Sequence, residues 1–212
     1  MESMKSPGLI ERQLRKRYMD SRFKLIVDSF GRDRFKFNEP LKQYTTLAAG
    51  GPADLFFIAF TTNELVKIIS MCRQLKLPFF LFGTGSKMLI SDHGFNGLVI
   101  KNRTKNIKTV SVKGKVSKFG LGIEEALVEV DSGVSIGKFC EYLDASGLSS
   151  DQFVDLPGSI GGNLFLNRFL QSKVKSIKVL DQASEIGEVS VDSLSPKKHI
   201  ILSAVLKIKA KK

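Results

Sequence analysis

The chain has 212 residues, 42% hydrophobic and 25% charged, which is ample for one large or two small packed domains and argues against disorder. Lys and Arg number 33 against 21 Asp and Glu, a net charge of +12 whose field favours anionic partners. Cys72, Cys140, His93 and His199 are scattered, so no zinc or Cys-His site is expected, and the thiols read as buried and free in a reducing compartment.

From Pro7 to Phe30 the residues Leu9, Ile10, Leu14, Tyr18, Leu25, Ile26 and Phe30 recur at helical spacing among Arg and Lys. They predict one or two amphipathic helices ending at Gly31, a surface-packed lead-in. RDRFKFNEP reads as a charged connector. Gly50-Gly51-Pro52 signals a turn before Ala53–Phe60, a strand apolar on both faces and therefore buried on both sides. Thr61 and Glu64 have capping-box spacing and open a helix with Leu65, Ile68, Ile69 and Cys72 on one face; Lys76-Leu77-Pro78 stops it. Pro78–Phe82 is the next strand, so strand, helix and strand form a βαβ unit with parallel pairing.

That unit ends in LFGTGSKMLISDHGFNGLVI, residues 81–100. Glycines at 83 and 85 permit positive φ and close backbone approach, so successive N–H groups can converge on a phosphate; a strand ending in Gly-x-Gly is also an ordinary tight turn. The segment lacks the third glycine of GxGxxG and the GK[ST] ending, which argues against a Rossmann or P-loop site and asks for another fold if a nucleotide binds. Texture changes near residues 101–105. Short alternating segments at 107–112 and 115–117, then Ala126–Val130, predict an antiparallel meander punctuated by Gly114, Gly120 and Gly122. Ser135–Ala145 is an amphipathic helix with Gly147 as its C-cap. DLPGSIGGNLFLN, 155–167, is a second glycine stretch, expected to leave backbone amides bare around Ser159. Ser159 also fits a helix N-cap, a role compatible with holding phosphate. Two strands, Val174–Leu180 and Ile200–Ile208, close the chain.

No run of about 18 apolar residues and no secretory leader is evident, so a cytoplasmic protein without a membrane partner is expected. Basic patches at Arg12–Lys24, Lys101–Lys118 and Lys207–Lys212 read as solvated faces and a tail; a nucleic-acid binder would pair such charge with stacking aromatics or a recognition helix.

Three units in this order, YTTLAAGGPAD at 44–54, LFGTGSKMLISDHGFNGLVI at 81–100 and LPGSIGGNLFLN at 156–167, resemble the FAD-binding portion of the UDP-N-acetylenolpyruvoylglucosamine reductase (UDP-N-acetylmuramate dehydrogenase) family. That family lies within the vanillyl-alcohol-oxidase-like flavoproteins, and the likeness runs from about residue 38 to 209. It implies an α+β, two-lobed FAD-binding fold, a small βαβ lobe at 38–102 and a larger antiparallel-sheet lobe at 103–212 after a helical lead-in at 1–37. It also implies that Phe82, Gly83, Thr84, Gly85, Ser86, Lys87 and Met88, with Pro157, Gly158, Ser159, Gly161, Gly162 and Asn163, wrap the FAD pyrophosphate. The activity implied is hydride transfer from NADPH through FAD to the enolpyruvyl group of a UDP-sugar, for peptidoglycan precursors.

Departures accompany the likeness. Ala48 stands where the family has a basic residue, Lys87 where it has Asn, and Arg168-Phe169-Leu170 where it has an Ala-Gly-Ala-Tyr-like run. SLSPKKHIIL lacks the family's Tyr-Arg-x-Ser, and the third, substrate-binding domain is expected to be absent or supplied by a second chain. No catalytic residue is assigned and no metal is expected. Three readings follow: an FAD-dependent oxidoreductase of this type, an FAD- or nucleotide-binding module without catalysis, and a basic nucleic-acid binder.

Overall fold

The structure is a computed structural model that describes residues 21–46, 48–86, 88–117 and 120–211. The helix expected over residues 7–20, and Lys87, lie outside the described residues. β1 (Phe35–Pro40), β2 (Pro52–Ala59), β3 (Phe79–Phe82) and β4 (Phe95–Asn102) form one sheet in the order β1-β2-β4-β3. β2, β4 and β3 run parallel, and β1 pairs antiparallel with β2 at the far edge. The expected βαβ unit is present, with α2 (Thr62–Gln74) as its crossover and β4 inserted between its strands: Leu98 lies opposite Leu55 on one side and Phe79 on the other.

The capping box forms as its spacing dictates. Thr61 Oγ1 accepts the Glu64 N–H at 3.1 Å, and Glu64 Oε2 accepts the Phe60 N–H at 2.8 Å. β2 is buried on both faces: Leu55, Phe57 and Ala59 pack towards α2, while Ala53 and Phe56 pack against Leu41 and Met88. α1 (Ser21–Phe30) is amphipathic, with Phe23, Ile26 and Val27 in the same core as α2 and Lys24, Leu25 and Asp28 exposed. One expectation needs correction. RDRFKFNEP is a 3-10 turn, Arg32–Arg34, followed by β1, whose period-two pattern buries Phe35 and half-buries Phe37 while Lys36 faces solvent.

β5 (Ile107–Ser117), β6 (Gly120–Asp131), β7 (Val174–Leu180), β8 (Ile186–Val189) and β9 (Ile200–Lys209) form the second sheet, antiparallel throughout, in the order β5-β6-β9-β7-β8. The expected meander is one long hairpin; Gly114 marks a register shift where a strand end was expected. α3 (Ile136–Ala145), α4 (Ile160–Leu166) and the short α5 (Arg168–Gln171) cover one face around Val128, Phe139, Leu164 and Leu206. Edge strand β8 escaped the sequence reading. The fold is therefore α+β and two-lobed, and the lobes share a core, since Leu180 and Leu202 of the second pack into the α1–α2 cluster of the first. Arg73 on α2 reinforces the join through the Asp181 carbonyl and Ser184 Oγ. No helix among the described residues is long and apolar enough to cross a membrane.

Candidate functional site

The first glycine loop leaves β3 where that strand lies beside the end of β4, Phe82 opposite Lys101. Gly85 has φ +82, and a Cβ there would collide with the Tyr44 carbonyl oxygen. Its glycine requirement therefore comes from internal close approach as well as from backbone conformation. Thr84 Oγ1 and Ser86 Oγ lie 3.1 Å apart. The backbone N–H groups of Thr84, Gly85 and Ser86 donate to no described residue, so this loop presents a short run of free donors.

The second loop differs from expectation in part. The Gly158 and Ser159 N–H groups donate to no described residue, as expected, whereas Ile160 N–H donates to Val134 O at 2.8 Å, Gly161 N–H to Ser132 O at 2.9 Å and Gly162 N–H to Ser159 Oγ at 3.4 Å. Asn163 N–H donates to Ser159 O at 3.0 Å, and its side-chain Nδ2 to Pro157 O at 2.9 Å. Ser159 is the N-cap of α4 and is buried, as is Asn163, which braces the loop from within. A Cβ on Gly161 would lie 2.9 Å from Ser132 Cβ, so this glycine too serves close packing.

The fold brings the two loops together. A Cβ on Gly83 would strike Ser159 Oγ, and one on Gly158 would lie 3.2 Å from Ser86 Oγ and 3.9 Å from Thr84 Oγ1. Between them runs a cleft of about 220 Å³, lined by Phe82, Gly83, Thr84, Gly85, Ser86, Met88, Pro157, Gly158, Ser159, Gly162 and Asn163 among others. It shares Leu81, Phe82, Gly83, Ser159 and Gly162 with a neighbouring cavity of about 400 Å³. Arg73, Asn102, Ser132, Phe165 and the 196–201 segment also line that cavity, and the sequence reading placed none of them at a site. Asn102 and Ser132 carried a faint signal, as polar residues at the ends of strands that are otherwise apolar inward.

No Asp or Glu lines either cavity among the described residues, while Arg73, Lys197, Lys198 and His199 line the larger one. Burial pulls the Arg73 guanidinium below its ordinary range, with Asp181 opposing. His199 Nδ1 accepts the Ser195 N–H at 3.2 Å, which leaves Nε2 to carry the proton of the neutral ring. Gly161, expected to touch the ligand, lines only the larger cavity. Free donors, hydroxyls and the lack of carboxylates suit an anion such as a pyrophosphate, and the joined cavities have room for an attached ring. Among the described residues no group of three or more His, Cys, Asp or Glu could hold a metal ion.

Comparison with known proteins bears on this geometry. The UDP-N-acetylenolpyruvoylglucosamine reductase of Desulfosudis oleivorans is 32% identical over 152 residues, 70% of this chain and 46% of that protein. The same-named protein of Clostridium tetani is 28% identical over 202 residues, 86% of this chain and 60% of that protein. The chain spans about half the length of the curated relatives it matches. Among solved structures, UDP-N-acetylenolpyruvylglucosamine reductase from Thermus caldophilus superposes with TM-score 0.60 at 22% identity, covering 84% of this chain and 62% of that one. 4-Ethylphenol oxidase from Gulosibacter chungangensis gives TM-score 0.62 at 12% identity, covering 90% and 43%. These two likenesses concern the fold. The family model of the FAD binding domain matches residues 53–175, more than half of the chain and both glycine loops, and the chain therefore belongs to the FAD binding domain family.

Proposed function

We propose that the cleft between the lobes holds FAD, its pyrophosphate between Gly83–Ser86 and Pro157–Asn163 and one ring end in the larger cavity. One observation carries this reading: the free N–H groups of Thr84, Gly85 and Ser86 sit across a carboxylate-free gap from Ser159. Donors that are already in place bind a dianion without reorganising. Thr84, Ser86 and Ser159 add hydroxyls, while Leu81 and Phe82 supply the apolar wall that excludes water from the ligand. Bound FAD supplies hydride chemistry; the chain binds and orients it.

The relatives' names support a finer reading, reduction of an enolpyruvyl UDP-sugar; NADPH as the reductant and a place in peptidoglycan precursor synthesis in the cytoplasm complete that proposal. Within the described lining, the charged or ionisable side chains are Arg73, Lys197, Lys198 and His199. The absence of Asp, Glu, Cys and Tyr from that lining favours a second reading, an FAD module without catalysis of its own. Adding FAD to the purified protein and removing the excess tests the shared claim: a retained yellow flavin is expected, and protein that stays colourless overturns both readings. Bleaching of that flavin by NADPH, with turnover of the UDP-sugar, separates enzyme from module.

A further inference from the structure

Buried polar side chains are costly unless paired, and in this protein they are concentrated. Of the eight buried polar or charged residues among those described, six lie in the second glycine loop (Ser159, Asn163), in the junction beneath it (Asp131, Ser132) or at the end of β4 tied to that junction (Asn102, Thr104). The junction is the 131–136 turn. On one side it is tied to the end of the first sheet and its exit: Asn102 Nδ2 donates to Ser132 Oγ at 2.8 Å, and Gly133 N–H to Thr104 Oγ1 at 3.1 Å. Asn102 Oδ1 is fixed in turn by the Thr104 N–H at 3.0 Å. On its other side the turn carries the second glycine loop through Ser132 O, Val134 O and the Ile136 N–H, which pair with Gly161, Ile160 and Gly158 at 2.8 to 3.0 Å.

The chain of contacts closes on itself. Asn102 holds Ser132, Ser132 holds Gly161, and Ser159 of the same loop abuts Gly83. Gly83 follows Phe82, which pairs with Lys101, the neighbour of Asn102. We propose that Asn102 and Ser132 are positioning residues that set the gap between the two glycine loops, so that the second loop meets the pyrophosphate only while their hydrogen bond is made. This rests on the FAD reading above, with the two residues acting through Gly161 and Ser159.

Ser132→Ala strands the Asn102 amide, Asn102→Ala strands Ser132 Oγ and the Thr104 N–H, and the double variant leaves only the Thr104 N–H unpaired. Two readouts decide the matter: the hydrogen-exchange rate of the Gly161 amide without cofactor, and the FAD dissociation constant. Each single variant is expected to speed Gly161 exchange about tenfold while α2 amides keep their rates, and to weaken FAD about tenfold. The double variant is expected to be no worse than the more affected single, because the pair acts as a unit. General destabilisation would instead speed exchange in α2 as well, and that result overturns the proposal. Unchanged Gly161 exchange and unchanged FAD affinity in both singles overturn it equally. Failure of the unsubstituted protein to take up FAD overturns the cofactor reading and the ligand end of this proposal, while Gly161 exchange still decides whether Ser132 sets the loop.

Discussion

Gly83–Ser86 and Pro157–Asn163 have the same glycine-rich texture and face each other, yet they use glycine differently. The first keeps three backbone donors free of described partners; the second keeps those of Gly158 and Ser159 free and commits those of Ile160, Gly161, Gly162 and Asn163 to Ser132, Val134 and its own Ser159. The free donors of either loop are open to a ligand, while the committed ones tie the second loop to the 131–136 turn. Glycine density in a sequence therefore marks where the backbone must come close, without saying whether the neighbour is a ligand or the protein itself.

Substitutions can break this contrast, starting with the severest. Gly85→Val and Gly161→Val would set a side chain against the Tyr44 carbonyl and against Ser132, the former also at φ +82. Each is expected to cost about 4 kcal/mol of stability, read as a depressed thermal midpoint in cofactor-free protein. The sequence alone suggests the opposite, loss of flavin with the fold intact, because phosphate is the obvious neighbour for a glycine in such a loop. Gly83→Ala is milder for the fold and sharper for the site, since its methyl group would strike Ser159 Oγ and wedge the loops apart. FAD affinity in a fluorescence titration should fall about a hundredfold, the usual consequence of misplacing binding groups by about an ångström. Gly162→Ala places its methyl 3.6 Å from Ser159 Oγ, an ordinary contact, within α4. A stabilisation of about 0.5 kcal/mol in cofactor-free protein is expected, and because Gly162 lines both cavities, a loss of FAD affinity smaller than that of Gly83→Ala.

The smallest effect concerns the junction. Burial holds the Asp131 carboxyl above the ordinary carboxylate range, and the hydrogen bond from the Asn106 N–H opposes this only in part. A folded-state pKa above the unfolded value means that the folded protein prefers the protonated form. Stability from this group is therefore greatest in acid and declines as pH rises from the ordinary Asp range through the raised value. Asp131→Asn should raise the melting temperature by about 2 °C at neutral pH and leave it unchanged below about pH 3.

Much of this was legible in the sequence. The double-sided apolar run of β2, the Thr61–Glu64 capping box and the glycine loops at two strand and helix boundaries all follow local rules and appear where those rules put them. β1 was legible in principle, because Phe35 and Phe37 alternate with polar neighbours, but the surrounding charge masked a two-residue period. The insertion of β4 between β2 and β3 was not legible, since parallel pairing does not state strand order. Nor was the contact of Asn102 with Ser132, 30 residues apart and brought together only when the lobes close on each other.

Amide hydrogen exchange with and without FAD tests the contrast between the loops most directly. The amides of Thr84, Gly85 and Ser86 should exchange rapidly in the cofactor-free protein and become protected when FAD binds. Those of Ile160, Gly161 and Asn163 should be protected throughout. Protection gained at Ile160–Asn163 alone, with Thr84, Gly85 and Ser86 still exchanging freely in the presence of bound FAD, would contradict it.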